Sequence, residues 1–428
     1  MNGDAYSHGL WEASAPAAPV TGPLQEQDLR VDIAVIGAGF TGLSTALHAA
    51  EGGASVAVLE AQQVGFGGSG RNVGLVNAGM WVMPDALPQE LGEAYGTRLR
   101  KCLGDAPSLV FALVDRHGMD CQAVPRGTLH CAVGQQGLRD ITERHRQWLA
   151  HGAPVELLDA RAVAAATGTT AYTGGLLDRR AGTIQPLAYA RGLAHAAVKA
   201  GAKLYTHSCV TEVRDEASHW ALRTAHGSVQ ARWVFVATDA YTGALWPQLQ
   251  EEQIRLPYFN MATAPLSDAQ RARILPGLQG VWDTPDVLSS FRYDRQGRLV
   301  FGSVGALRGA GMGIHRNWGR RALNKLFPEL ASTPFEYEWY GQIGMTSNAL
   351  PRLHELGRQV FSFSGYNGRG IAPGTAFGRE LAGLALGQRR VEDLPLPVTP
   401  SVTARFKGLR EMGYEAGAQL VHATQARL

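Results

Sequence analysis

The chain has 428 residues, 45% apolar and 18% charged, so it can bury a large core and is not expected to be disordered. Its 40 Lys and Arg against 37 Asp and Glu leave a net charge of +3, with the basic residues scattered rather than gathered on a stripe, which speaks against a nucleic-acid partner. Glycine is in excess at 52 residues, but it clusters between apolar stretches, without the period of three of collagen or the Ser and Pro of a flexible linker.

In chain order, residues 1–29 lack a sustained period and a secretory signal, and read as an extended surface arm pinned by Tyr6 and Trp11. The apolar window from Val31 to Ala50 is interrupted by Asp32, three glycines and His48, so it reads as strand, turn and helix rather than a membrane span. Strand Val31–Ile36, helix Thr41–Glu51 and strand Ser55–Glu60 then make a β-α-β unit. Helical spacing dominates from Leu91 to Ala150, broken by strands near Pro125–Val133, and Ala188–Gly201 is another amphipathic helix. The stretch KLYTHSCVTEV suits a strand, and HWALRT and GSVQARWVFVAT form a hairpin about Gly227. SSFRY and RLVFGS, joined at Gln296-Gly297, point to a separate antiparallel sheet, and VFSFSGYNGRGIAPGTAFGRELAGLAL is a further strand, glycine turn and helix. Cys102, Cys121, Cys131 and Cys209 show no zinc or disulfide spacing, so no metal is expected, the thiols should be buried, and a cytoplasmic location fits.

Gly37, Gly39 and Gly42 form G-x-G-x-x-G between the first strand and its helix, with Glu60 at the end of the second strand. That pattern brings a pyrophosphate against the backbone and the helix N-terminus, and places an acid on the ribose hydroxyls. A second glycine loop, Gly65–Gly79, carries Ser69, Arg71 and Asn72 and suits a flat, partly anionic group such as a flavin better than a nicotinamide.

GAGFTGL, Glu60, G-x-S-G-R-N-x-G and GYNGRGIAPGTAFG together resemble the D-amino-acid oxidase (glycine oxidase-like) type of FAD-dependent oxidoreductase, from about Val31 to Gly387. The resemblance implies an α/β fold: a three-layer, Rossmann-like FAD-binding domain with an interleaved antiparallel-sheet substrate domain of α+β type. The division expected is 1–90, 155–250 and 335–428 for FAD, and 91–154 and 251–334 for substrate. The FAD contacts it implies are Gly37, Gly39, Phe40, Thr41, Gly42, Glu60, Ala61, Gly68, Ser69, Arg71, Asn72 and Gly74. Further along they are Val210 against adenine or ribose, Ala237 and Thr238 near the phosphates, and Gly368, Arg369, Gly370 and Ile371 beside the flavin.

YSHGLWEASAP, DRRAGTIQPLAYARGLAHAA and GQIGMTSNALPRL are most similar to the L-pipecolate and γ-glutamylputrescine oxidase group. Sarcosine oxidases of similar design carry a Lys where this chain has Ala372, and a flavin-linking Cys where Trp339 to Gly365 has none, so FAD is expected to be non-covalent. The activity implied is oxidation of an amine CH-NH bond by hydride transfer to flavin N5, with L-pipecolate, a substrate of lysine degradation, going to its cyclic imine while oxygen is reduced to hydrogen peroxide. The alternatives are γ-glutamylputrescine oxidation, another FAD-dependent amine or amino-acid dehydrogenase with a quinone acceptor, and a non-catalytic or RNA-modifying flavoprotein. For the substrate the candidates are Tyr258, Arg292, Arg308, Trp339, Tyr366 and Arg369, an arginine being favoured for its fork onto a carboxylate.

Overall fold

The computed structural model describes residues 7–425. Strand Leu29–Ile36 is buried throughout its second half because it runs parallel to Ser228–Val236 on one side and to Val56–Leu59 on the other. A parallel strand covered on both faces requires such a continuous apolar run. Lys203–Tyr205 extends the sheet beyond Val56–Leu59, and Val360–Ser364 and Arg352–Gly357 extend it beyond Ser228–Val236. Helices Phe40–Glu51, Glu93–His117, Pro186–Lys199 and Ile371–Ala385 pack with it in one core. The helix expected from Ala188 starts at Pro186, where a missing N–H costs nothing, and Gln185 caps it by accepting the Ala188 N–H at 2.7 Å.

The second sheet runs Phe335–Met345, Ile254–Pro265, Arg298–Val304, Ser289–Tyr293, Gly280–Asp283, Thr128–Ala132, Gly174–Asp178 and Val155–Asp159. Its pairs are antiparallel except where Gly280–Asp283 runs parallel to Thr128–Ala132. Helix Gly309–Leu326 shares its apolar core. The C-terminal helix, Lys407–Thr424, contacts that helix and strand Ile254–Pro265. Segments 155–159, 174–178, 335–345 and 407–424 therefore stand with the second sheet, not with the FAD-side segments to which the sequence division assigned them, and helix Glu93–His117, assigned to the substrate side, packs with the first.

Three local expectations change. Residues 10–14 are helical, and Trp11 is fully buried edge-to-face on Trp339 rather than lying on a surface arm; Tyr6 lies outside the described residues. The strand over 203–213 breaks in two, because His207 takes a left-handed φ of +51° and the Ser208 N–H turns aside to the Glu60 carbonyl at 2.7 Å. Cys209, beyond that break, is exposed, unlike Cys121 and Cys131.

Candidate functional site

Strands Leu29–Ile36, Val56–Leu59 and Ser228–Val236 are parallel and so end on one side, where an open α/β sheet presents its ligand crevice. A cavity of about 1080 Å³ runs from these strand ends to the second sheet. Gly37 takes φ +104°, and a Cβ there would lie 2.8 Å from the Ala237 carbonyl. Gly39, Phe40 and Thr41 line the cavity, so the helix that begins there brings its unsatisfied first-turn N–H groups and positive dipole end to the wall. Gly42 lies behind the wall, where a Cβ would meet the Gly37 carbonyl at 2.0 Å; its part is to let helix and strand touch. Glu60 lines the cavity with Ala61, its carboxylate accepting the Ala38 N–H at 2.7 Å and the Gln62 N–H at 2.8 Å. Burial pushes its carboxyl up, and those N–H donors draw it back.

The second glycine loop supplies Gly68, Ser69, Arg71 and Asn72. Asn72 staples it, donating to the Gly68 and Ser69 carbonyls at 3.0 Å and accepting the Gly74 N–H at 2.9 Å. Arg71 stacks 4.4 Å over the Phe66 ring and bonds the Phe66 carbonyl. Gly74 itself does not reach the cavity, for its Cβ position is 2.1 Å from the Ile184 carbonyl. Indoles hold the loop from behind: Trp11 donates to the Asn72 carbonyl at 2.8 Å and Trp339 to the Arg71 carbonyl at 3.0 Å.

Tyr366, Gly368, Arg369, Gly370 and Ile371 line the opposite stretch, and Val210, Ala237 and Thr238 line the wall at the ends of the parallel strands. The Tyr366 hydroxyl meets Thr41 Oγ1 at 2.6 Å, tying the first glycine turn to the last. Asp239, beyond Thr238, accepts the Gly365 N–H at 2.7 Å, and burial pushes its carboxyl up to about 6.

The substrate candidates separate. Tyr258 lines the cavity and its hydroxyl meets Ser290 Oγ at 2.6 Å. Arg369 lies with its guanidinium 4.7 Å from both Trp81 and Trp282. It donates Nη1 to the Ala78 carbonyl at 3.1 Å, while Nε and Nη2 find no partner among the described residues, and burial lowers it to about 9. Arg292, Arg308 and Trp339 do not line the cavity. Arg292 is buried behind it, donating Nε to the Val73 carbonyl at 3.0 Å and stacked 5.0 Å from Trp11, its Nη2 without a partner among the described residues but outside the cavity lining. Arg308 is on the outside, paired with Glu415 at 2.6 Å. Trp339 is the buried support of Arg71 just described.

Sequence reasoning missed Asp239, Trp81, Trp282, Tyr241 and Asp286, all on the cavity wall. Asp239 was within reach, since it follows the parallel strand that ends in Ala237 and Thr238. Tyr241 and Trp81 likewise lie just past Thr238 and the Gly65–Gly79 loop, whereas Trp282 and Asp286 come from a segment with no motif. Among the described residues no cluster of His, Cys, Asp and Glu could hold a metal, and no helix is long and apolar enough to cross a membrane.

A helix N-terminus, two glycine loops and the Glu60 carboxylate at the end of the second strand, all on one cavity, fit the FAD that the motifs imply. A family model described as FAD dependent oxidoreductase (DAO) matches residues 32–384. Gamma-glutamylputrescine oxidoreductase of Escherichia coli K12 is 32% identical over 366 residues, 84% of this chain and 85% of that one. The probable oxidoreductase OrdL of Rhizobium meliloti is 29% identical over 408 residues, 94% of each chain. Glycine oxidase from Geobacillus kaustophilus superposes with a TM-score of 0.70 over 87% of this chain and 100% of its own, at 20% identity, a likeness of fold. A family match running from the first parallel strand into the helix after the last glycine turn, with relatives aligned along most of their own length, shows that the chain belongs to the DAO family of FAD dependent oxidoreductases.

Proposed function

We propose that the protein, an FAD-dependent oxidoreductase of the amine and amino-acid type, oxidises the terminal amine of a long, carboxylate-bearing substrate of the γ-glutamylputrescine class. The observation that carries this reading is the 32% identity to gamma-glutamylputrescine oxidoreductase along most of both chains. The lining supports it: Thr284, Pro285 and Asp286 join Tyr258 and Ser290 on the cavity wall, polar surface for which a compact cyclic imino acid has few partners. Asp286 and Arg369 both line the cavity, one charge of each sign for a substrate that carries amine and carboxylate. L-Pipecolate, the first expectation from sequence, has no such support.

Bound FAD supplies the hydride acceptor. Gly37, Gly39, Phe40 and Thr41 would hold its pyrophosphate, Glu60 and Ala61 its ribose, and Val210 its adenine. Ala237 and Thr238 would approach the phosphates, and Ser69, Arg71, Asn72 and Gly368 to Ile371 would flank the flavin. Non-covalent binding is favoured because the cavity's cysteine, Cys209, stands beside Val210, away from the last glycine turn. Trp81, Trp282 and Tyr366 shield the reacting end from water, and Tyr258 with Ser290 orients the substrate. Loss of hydride from the carbon next to nitrogen would need the nitrogen lone pair free to form the C=N bond, so the rate would rise with pH through the bound amine's pKa without a protein base.

Steady-state oxidation of γ-glutamylputrescine, putrescine and L-pipecolate tests the reading, with peroxide followed in one arm and dye reduction in the other to separate oxygen from quinone-type acceptors. The expected kcat/KM is greatest for γ-glutamylputrescine, by at least about tenfold over putrescine. Turnover of L-pipecolate with none of the other two overturns it.

A further inference from the structure

Behind the wall that Trp282 and Arg369 give the main cavity lies a second, small chamber of about 20 Å³. Asn77, Trp282 and Arg369 line both and form the partition, while His130, Arg144 and Asp178 line only the chamber. Arg144 and Arg369 are both buried, and among the described residues they bond only backbone carbonyls: Arg144 those of Met80 and Trp81 at 3.1 and 2.6 Å, Arg369 that of Ala78. The acid on the lining, Asp178, is already engaged, accepting Arg180 Nε at 2.9 Å and Nη2 at 2.6 Å. Two cations therefore share the chamber with no counter-ion of their own, and buried charges are ordinarily paired. Burial lowers Arg144 to about 10, and the Arg144 charge adds to the effect of burial on Arg369.

Donors as well as charge are left over. Arg369 Nε and Nη2 and His130 Nδ1 are buried and have no partner among the described residues. The His130 ring stacks on Trp282 with centroids 3.4 Å apart, and burial pushes its pKa well below the ordinary value, so it is neutral and one tautomer offers an N–H from Nδ1. His130 and Arg144 stand outside the main cavity, so a group bound there does not satisfy them. A water answers the donors but not the two charges. The volume admits one atom or two of a ligand, enough for a halide ion or the end of a carboxylate and too little for sulfate or phosphate. We propose that the chamber binds one small monovalent anion, a free halide or a carboxylate that the substrate extends past Trp282, with Arg369 and His130 as hydrogen-bond donors and Arg144 as the second cation. Its charge holds Arg369 between Trp81 and Trp282, the place from which that arginine lines the main cavity. The halide source does not depend on which amine is oxidised; the carboxylate source rests on the substrate class proposed above.

Chloride NMR line broadening by the flavin-loaded holoenzyme, in sulfate buffer of fixed ionic strength, tests this without turnover, so its outcome is independent of the steady-state assays. The wild type is expected to broaden the chloride line saturably, with formate displacing chloride and added sulfate not. Arg144→Met, which leaves the main cavity lining intact, should weaken chloride binding by at least about fivefold at unchanged flavin content. His130→Phe, which keeps a ring on Trp282 and removes the donor, should also weaken it, and decides the matter if Arg144→Met fails to fold. Glutarate separates the two sources: its displacing chloride assigns the chamber to a substrate carboxylate, and its failure to do so assigns the chamber to a free halide. No saturable broadening in the wild type overturns the proposal. So does a chloride affinity that the substitutions leave unchanged, or displacement by sulfate as readily as by formate.

Discussion

The two sides of the cavity are built by different means. On the side proposed for the dinucleotide, the wall is made of backbone turns, each written in a few consecutive residues: Gly37 to Thr41, Gly68 to Asn72, Gly368 to Ile371. On the side proposed for the substrate, the wall is made of single side chains that come from places far apart in the chain: Trp81, Tyr258, Trp282, Ser290. The first kind of site tolerates almost no change in backbone packing, while the second can be retuned one side chain at a time. That difference predicts how substitutions on the two sides divide.

The largest effect belongs to the glycine turn. In Gly42→Ala the new Cβ would sit 2.0 Å from the Gly37 carbonyl, backbone against backbone, so neither atom can rotate away. We expect protein without bound flavin, destabilised by about 3 kcal/mol, read from the flavin-to-protein absorbance ratio and denaturant unfolding. A yellow protein of wild-type stability would erase the contrast between the two sides.

Next comes the arginine between the tryptophans. Arg369→Met keeps the packing and removes the charge, and KM for γ-glutamylputrescine should rise by about 30-fold, the equivalent of about 2 kcal/mol for a buried charged contact. Arg308→Ala, on the outside and more than half exposed, should leave KM within about twofold, since an exposed ion pair contributes at most about 1 kcal/mol. Equal effects in the two variants would mean that the cavity geometry does not decide which arginine meets substrate.

The smallest effect is a pH slope. The folded value of Asp239, about 6, lies above the ordinary 3.8. Within that window the unfolded chain has lost a proton that the folded chain still holds, so stability falls as pH rises through it. Asp239→Asn in FAD-free protein should flatten the slope, seen in urea midpoints at the two ends of the window; an unchanged slope would assign it to another group.

The same division explains what could be read in advance. The β-α-β unit, Glu60 and the last glycine turn were legible because local backbone demands leave local marks: a tight turn needs glycine wherever it occurs. Arg292, Arg308 and Arg369 are identical letters, and only the fold spends one on a carbonyl behind the wall, one on Glu415 and leaves one between two indoles. Trp11 was equally opaque, since nothing near it in sequence says that its partner is Trp339. The break in the strand before Val210 depends on Ser208 meeting Glu60, a contact between segments about 150 residues apart.

The order of the first sheet also bears on how the protein is made. Leu29–Ile36 pairs with Ser228–Val236, which pairs with Val360–Ser364. A ribosome must therefore deliver most of the chain before the central strand has both neighbours and their extension in place. The cavity cannot be complete early in synthesis, because its last glycine turn, Gly368 to Ile371, is among the last segments to emerge. Until then the apolar strand Leu29–Ile36 waits without a complete sheet, the kind of nascent edge that chaperones shelter.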